Sequence, residues 1–268
     1  MTKKLKKNWL LLLFLFVWTL VCIYAAIDFG YHDPMHRELP DVMTSFIYLY
    51  SYDYLGLLQL FGAPLVCLFG LYSFYQEIES EYVKLKLTRE SYTKYLWNHI
   101  KNSLKHIFLI PSMILILWIV CLFMFQFQFD IEKTAQIHLE LVSVVLPYKN
   151  ILVPYFIFIF LKPIFLSIVW LEIGFCFMKR ERNFAIPIFL VFIVDYMIVR
   201  MIDYVSSFLQ LENSMLSWNF MIFLNTDLLK ETIMSFILIV IIGVIFLIPC
   251  YFHYRSKEKF VMMCEEGD

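Results

Sequence analysis

The chain has 268 residues, 61% of them hydrophobic, 19% aromatic and 17% charged, with a formal net charge of −1 and a mean hydropathy of +0.72. A soluble domain is closer to half apolar and a quarter charged, so this composition excludes an ordinary water-soluble globule. The apolar residues are gathered into runs of the length that crosses a bilayer core of about 30 Å, roughly 20 residues as a helix.

Six such runs follow one another: Trp9–Ile27, Tyr54–Tyr75, Ile107–Phe129, Leu152–Met178, Phe184–Tyr204 and Ile233–Tyr254. Lipid offers the backbone no water, so each run must be a helix or part of a closed barrel. None shows the period-two alternation of barrel strands, and helices are expected. The expected fold is an all-α integral membrane protein with six transmembrane helices, residues 1–268 forming one membrane domain.

The first run starts after Lys3, Lys4, Lys6 and Lys7 and carries Ala25 and Ala26 near its end, as a signal peptide would. Its apolar length of about nineteen residues exceeds the 7–15 usual for a signal core, so a retained helix is expected. Placing the N-terminus in the cytoplasm puts sixteen of the 22 Lys and Arg residues on that side and four outside. That split obeys the positive-inside rule at every loop and places both termini in the cytoplasm. Richness in Phe and Ile points to an AT-rich bacterial genome and so to a multi-pass protein of a bacterial plasma membrane.

Beyond the first run, His32 and His36 stand four apart near Asp33 and Glu38. That spacing suits a metal on a helix, but Pro34 interrupts one, so a polar outer loop is expected and no metal. Cys22, Cys67, Cys121, Cys176 and Cys250 lie in the runs and Cys264 in the last segment. Without CxxC spacing they read as small apolar residues, with no disulfide framework.

The segment Tyr75–Lys105 is the most specific part of the chain. Ile78, Tyr82 and Leu85 share one helical face, with Glu77, Glu79, Glu81, Lys84 and Lys86 on the others. A break is expected near Leu87-Thr88-Arg89. Thr88 would cap a second helix that has Glu90 in its first turn and carries Tyr92, Tyr95, Leu96 and His99. Two readings are open: an amphipathic helix in the interface with snorkelling lysines, or an elbow that docks a protein. The mixture of glutamates with lysines, poor for an anionic membrane surface, and the sharp turn presenting Leu87, Thr88 and Arg89 to the cytosol raise the second.

Ionisable residues inside membrane runs are costly and are functional candidates by default. Here they are Lys162 beside Pro163, Glu172, Asp195, Arg200 and Asp203. Arg200 and Asp203 are spaced to pair. Lys162 and Asp195 lie at similar depth on neighbouring antiparallel runs. An ion pair that fixes packing, a place on a substrate path and a proton relay are all open to them. Between the fifth and sixth runs, Phe208 to Leu224 is too apolar for a free loop and too interrupted by Glu212, Asn213 and Asn219 for a span. Paired short interfacial helices and an aromatic-anchored loop both fit.

The elbow resembles that of the type-2 permease family of ABC transporters, the membrane subunits of exporters. The likeness rests on Glu79 or Glu81, Val83, Leu85, Leu87-Thr88-Arg89, Ser91, Tyr92 and Lys94, together with six runs and both ends inside. The resemblance implies a single permease domain whose elbow is a coupling helix seated in a groove of an ATPase subunit. It assigns that contact to Glu79, Glu81, Leu85, Leu87, Thr88, Arg89 and Tyr92. It implies two ATPase subunits as partners, a second permease copy or homologue, and a hydrophobic or amphipathic cargo such as a peptide, lipid or drug.

No GxxxxGK[ST], HExxH or GxSxG occurs, so no catalytic residue is expected. The chain reads as a transport subunit and not an enzyme, with no cofactor of its own. ATP and Mg would be bound by the partner. Beyond those subunits the bilayer is the expected surrounding, with no nucleic acid. The rival readings are an ion-coupled secondary transporter and a membrane-embedded immunity or sensor protein.

Overall fold

The computed structural model describes residues 2–32, 42, 45, 46, 49, 56–79, 82–125, 149–178, 183–208, 228–258, 260 and 261. Among these every regular element is helical. The helices are α1 (Thr2–His32), α2 (Gly56–Glu79), α3 (Tyr82–Arg89), α4 (Tyr92–Leu104), α5 (Leu109–Met124), α6 (Lys149–Phe177), α7 (Ala185–Phe208) and α8 (Leu228–Tyr254). A 3-10 turn, Lys105–Phe108, joins α4 to α5. Its tightening has a local cause: Pro111 has no N–H to give the carbonyl four residues back, at Ile107.

Among the described residues, five helical stretches are long and apolar enough to cross a membrane: Trp9–Asp28, Tyr92–Met124, Phe160–Phe177, Ala185–Ile202 and Phe236–Tyr254. The remaining predicted run falls largely on α2, whose 24 residues reach about 36 Å. The pattern of burial is that of a membrane-embedded bundle. Small residues such as Cys22, Ala25, Ala26, Ala63 and Cys67 are buried, while Leu12, Phe16, Ile241, Val244 and Ile248 are exposed on α1 and α8. Water would not tolerate so large an apolar exterior.

The hub is α6, which packs against α2, α5, α7 and α8. Apart from Lys162, Ser167 and Glu172 its central part is apolar on every side, as a helix with neighbours on several sides should be. In lipid the apolar faces of helices gain little by meeting one another, so close packing must hold them. The α2–α6 crossing provides it through two glycines. Leu171 of α6 sits over Gly70, and Leu71 of α2 sits over Gly174, each occupying the space a Cβ would need. Elsewhere the Trp18 indole N–H of α1 donates to the Met113 carbonyl of α5, at 3.0 Å.

Val42, Ser45, Phe46 and Leu49, placed in the first outer segment, are helical and buried. The Phe46 ring meets Trp118 of α5 edge-on, with centroids 4.8 Å apart. Their i, i+3, i+4, i+7 spacing was the signal for this face. The interfacial helices expected between the fifth and sixth runs lie outside the described residues, as does His36.

Phe14, Trp18, Phe61, Pro64, Leu65, Leu68, Met113 and Ile188 line a cavity of about 250 Å³ with wholly apolar walls. Four helices contribute to it: α1, α2, α5 and α7.

Candidate functional site

The ends of α2, α6 and α8 gather at one pole of the bundle, and the elbow is built there. The carboxylate of Glu77, at the end of α2, accepts from Lys86 Nζ of α3 at 2.5 Å and from His99 Nε2 of α4 at 2.9 Å. One side chain thereby ties three helices. His99 is buried, and since the carboxylate only accepts, its Nε2 carries the proton. Its Nδ1 has no partner among the described residues. Lys86 also lies over the Tyr95 ring, 5.9 Å from its centroid. Ser103 of α4 donates to the Gly70 carbonyl at 2.8 Å, fixing the return limb against α2.

A second set of contacts comes from the segment after α8. Phe260 is fully buried (0% exposed). Its ring stacks on Phe74 with centroids 6.1 Å apart and packs against Tyr92 and Tyr254 at 5.6 and 5.8 Å. Tyr92 donates to the Tyr254 carbonyl at 3.0 Å, Tyr254 to the Phe175 carbonyl at 2.9 Å, and Lys257 to the Leu87 carbonyl at 3.3 Å. The elbow is thus braced from below by Glu77 and from the side by residues 254–260.

The bend lies three residues later than expected. Helix α3 runs through Thr88 to Arg89, and Ser91 stands at the N-cap of α4 with extended backbone. Thr88 is not a cap: its hydroxyl donates to the Leu85 carbonyl at 2.7 Å. Because α3 continues, its faces separate. Val83 and Leu87 (5% exposed) turn into the core, whereas Leu85 (56%), Thr88 and Arg89 face outwards. Glu79 is exposed and Tyr92 half-buried, and Glu81 lies outside the described residues. Of the expected docking residues, Leu85, Thr88, Arg89 and Glu79 form the accessible set and Leu87 supports them from inside.

Burial opposes ionisation of Glu77, but the hydrogen bonds and charges of His99 and Lys86 outweigh it and hold the carboxyl below its ordinary 4.5. A depressed folded pKa stabilises the fold fully above the ordinary carboxylate range. That contribution is lost as pH falls through the depressed value. Glu77→Gln should therefore cost about 2 kcal/mol near neutrality, as expected for hydrogen bonds to a charged acceptor. It should also remove part of the loss of stability below pH 4.5. Thermal midpoints in detergent across pH 3–7, about the range where such a group titrates, check both.

Asp195 of α7 accepts from the Trp170 indole N–H of α6 at 2.7 Å. Lys162 is fully buried on α6, eight residues from Trp170, or about 12 Å along the axis. Asp195 is thus engaged at the level of Trp170, where Cys67 of α2 also donates to the Trp170 carbonyl at 3.2 Å. Arg200 stacks on Tyr196, 5.2 Å from the ring centroid, and bonds its hydroxyl at 2.9 Å. The Asp203 side chain lies outside the described residues. Glu172, half-buried, faces α8 near Gly243.

Sequence reasoning passed over Glu77 as a node, Phe260 and Trp170. The apolar Phe260-Val261 after the charged Arg255–Lys259 stretch was a visible signal for the side brace. Nothing local marks Trp170 among so many aromatics. No protein-family model matches the chain, and no curated protein or solved structure does either.

Proposed function

We propose that this chain is the permease subunit of an ABC exporter in a bacterial plasma membrane, with six spans and both ends in the cytoplasm. The observation that carries the reading is the braced elbow. A short helix presents Leu85, Thr88 and Arg89 outwards while its opposite face is locked to α2, α4 and the segment after α8. A lever that transmits motion must be stiff behind and accessible in front. A second copy or homologue completes the path, and two ATPase subunits, holding ATP and Mg, dock beneath, one on the elbow of each permease. The all-apolar cavity between α1, α2, α5 and α7 suits a hydrophobic or amphipathic cargo: a peptide, lipid or drug.

The test is co-purification from gently solubilised membranes. An ATP-binding protein should accompany the wild type and be lost, by about tenfold or more, from Leu85→Asp combined with Arg89→Glu. Both side chains are exposed, so the fold should survive. Absence of any ATPase from the wild type would transfer the reading to ion-coupled transport. The observation favouring that alternative is the burial of Lys162 and Asp195 in the bundle.

A further inference from the structure

Above the elbow, α6 and α8 bring together two cysteines that the coupling surface does not use. Cys176 Sγ lies 2.8 Å from Cys250 Sγ, close enough for one thiol to donate to the other. Cys250 is also 3.1 Å from the Glu172 carbonyl and Cys176 3.6 Å from the Phe246 carbonyl. Both are free and half-buried. The close approach has a cause in Gly243, where a Cβ would lie 3.2 Å from Val169. Cys250 is seven residues further on, about two turns and on the same face. Glu172 is one turn before Cys176, and its buried Oε2 has no hydrogen-bond partner among the described residues.

We propose that Cys176 and Cys250 are an oxidation site, which a peroxide converts to a disulfide that bolts α6 to α8. One thiol releases its proton to solvent, and the thiolate attacks the O–O bond. This forms a sulfenic acid and hydroxide, which takes up that proton as water. The second sulfur then displaces the sulfenic oxygen, which leaves as a second water with the second thiol's proton. Two S–H bonds and one O–O bond break, and one S–S bond and two O–H bonds form. The sulfurs lose two electrons and the peroxide gains them. An S–S bond of about 2.0 Å asks the sulfurs to close by about 0.8 Å. Thiol exchange reverses the step.

The place of the bond gives it an effect. Tyr254, one turn beyond Cys250, donates to the carbonyl of Phe175, the neighbour of Cys176. A disulfide would fasten the helices on which the elbow is seated. Its formation is scored chemically, so it stands or falls independently of the exporter reading.

The experiment treats the purified full-length protein, in lipid nanodiscs, with hydrogen peroxide. Remaining thiols are alkylated with N-ethylmaleimide, and peptides are read by mass spectrometry. The expected result is a Cys176–Cys250 linked peptide that dithiothreitol removes. The pair should lose alkylation roughly tenfold faster than the fully buried Cys67, since exposure governs thiol oxidation. In Cys176→Ser, Cys250 should gain oxygen instead of forming a link. Full alkylation of both cysteines after peroxide, or oxygen gain on the wild-type pair without a link, would overturn the proposal.

Discussion

Replacing Gly174 by valine should lower the thermal midpoint in detergent by about 10 °C, an effect of roughly 3 kcal/mol at this chain length. The reason lies in the crossing of α2 and α6. Even a single added methyl at Gly174 runs into Leu71 and comes within 3.1 Å of Cys67 Sγ. Leu71 is buried at the crossing, so it must shift within packed surroundings to make room. Alanine gains about 1 kcal/mol of helix propensity over glycine, which offsets part of a smaller clash. Valine adds two more carbons and loses that offset. Leu71→Ala alone should cost about 2–5 kcal/mol for the cavity it leaves. Combined with Gly174→Val, it should cost less than the two separate losses by at least about 1 kcal/mol, because one change fills the space the other opens. Strict additivity would mean that Leu71 and Gly174 do not meet.

The second large effect is expected at Phe260. Phe260→Ala should cost about 3–5 kcal/mol, the usual loss for a buried phenylalanine. It should act on the elbow and not on the whole bundle. The ring touches Phe74 on α2, Tyr92 and Tyr95 on α4, and Tyr254 on α8. Its removal also frees the segment that carries the Lys257 bond to the Leu87 carbonyl. Hydrogen exchange in lipid nanodiscs should show α3 and α4 losing protection about tenfold or more, with α7 unchanged. Equal protection of α3 and α4 in wild type and variant would mean that Phe260 does not brace the elbow. Loss of protection throughout would show that the brace belongs to the global core.

These two sites differ in how legible they were. The apolar pair after a charged stretch could have marked Phe260 as a residue that returns to the protein. Gly174 carries no such mark, because its meaning depends on which leucine lies opposite. The elbow was readable as a helix, a break and a second helix, but the break was expected at Thr88 and lies at Ser91. Serine and threonine are both common N-caps, so capping propensity alone does not fix the bend. Tertiary contacts make the choice: Val83 and Leu87 are buried, and Lys86 reaches Glu77 only if α3 completes its last turn. The Trp170 contact of Asp195 was hidden for a related reason: it depends on the register of α6 against α7, which places the indole at the carboxylate.

By itself the amino-acid sequence determined that this is a bundle of membrane-crossing helices, with one polar elbow and a few buried charges. Composition and run length suffice because lipid permits no unsatisfied backbone and the bilayer sets the length of each span. Only the tertiary structure decided the pairings: Gly70 and Gly174 with opposing leucines, Glu77 with Lys86 and His99, Asp195 with Trp170, and Cys176 with Cys250. Lipid is as apolar as leucine, so a side chain's hydrophobicity does not show whether it meets lipid or another helix. Shape complementarity and the few polar contacts select the neighbours, and both exist only after the helices have assembled.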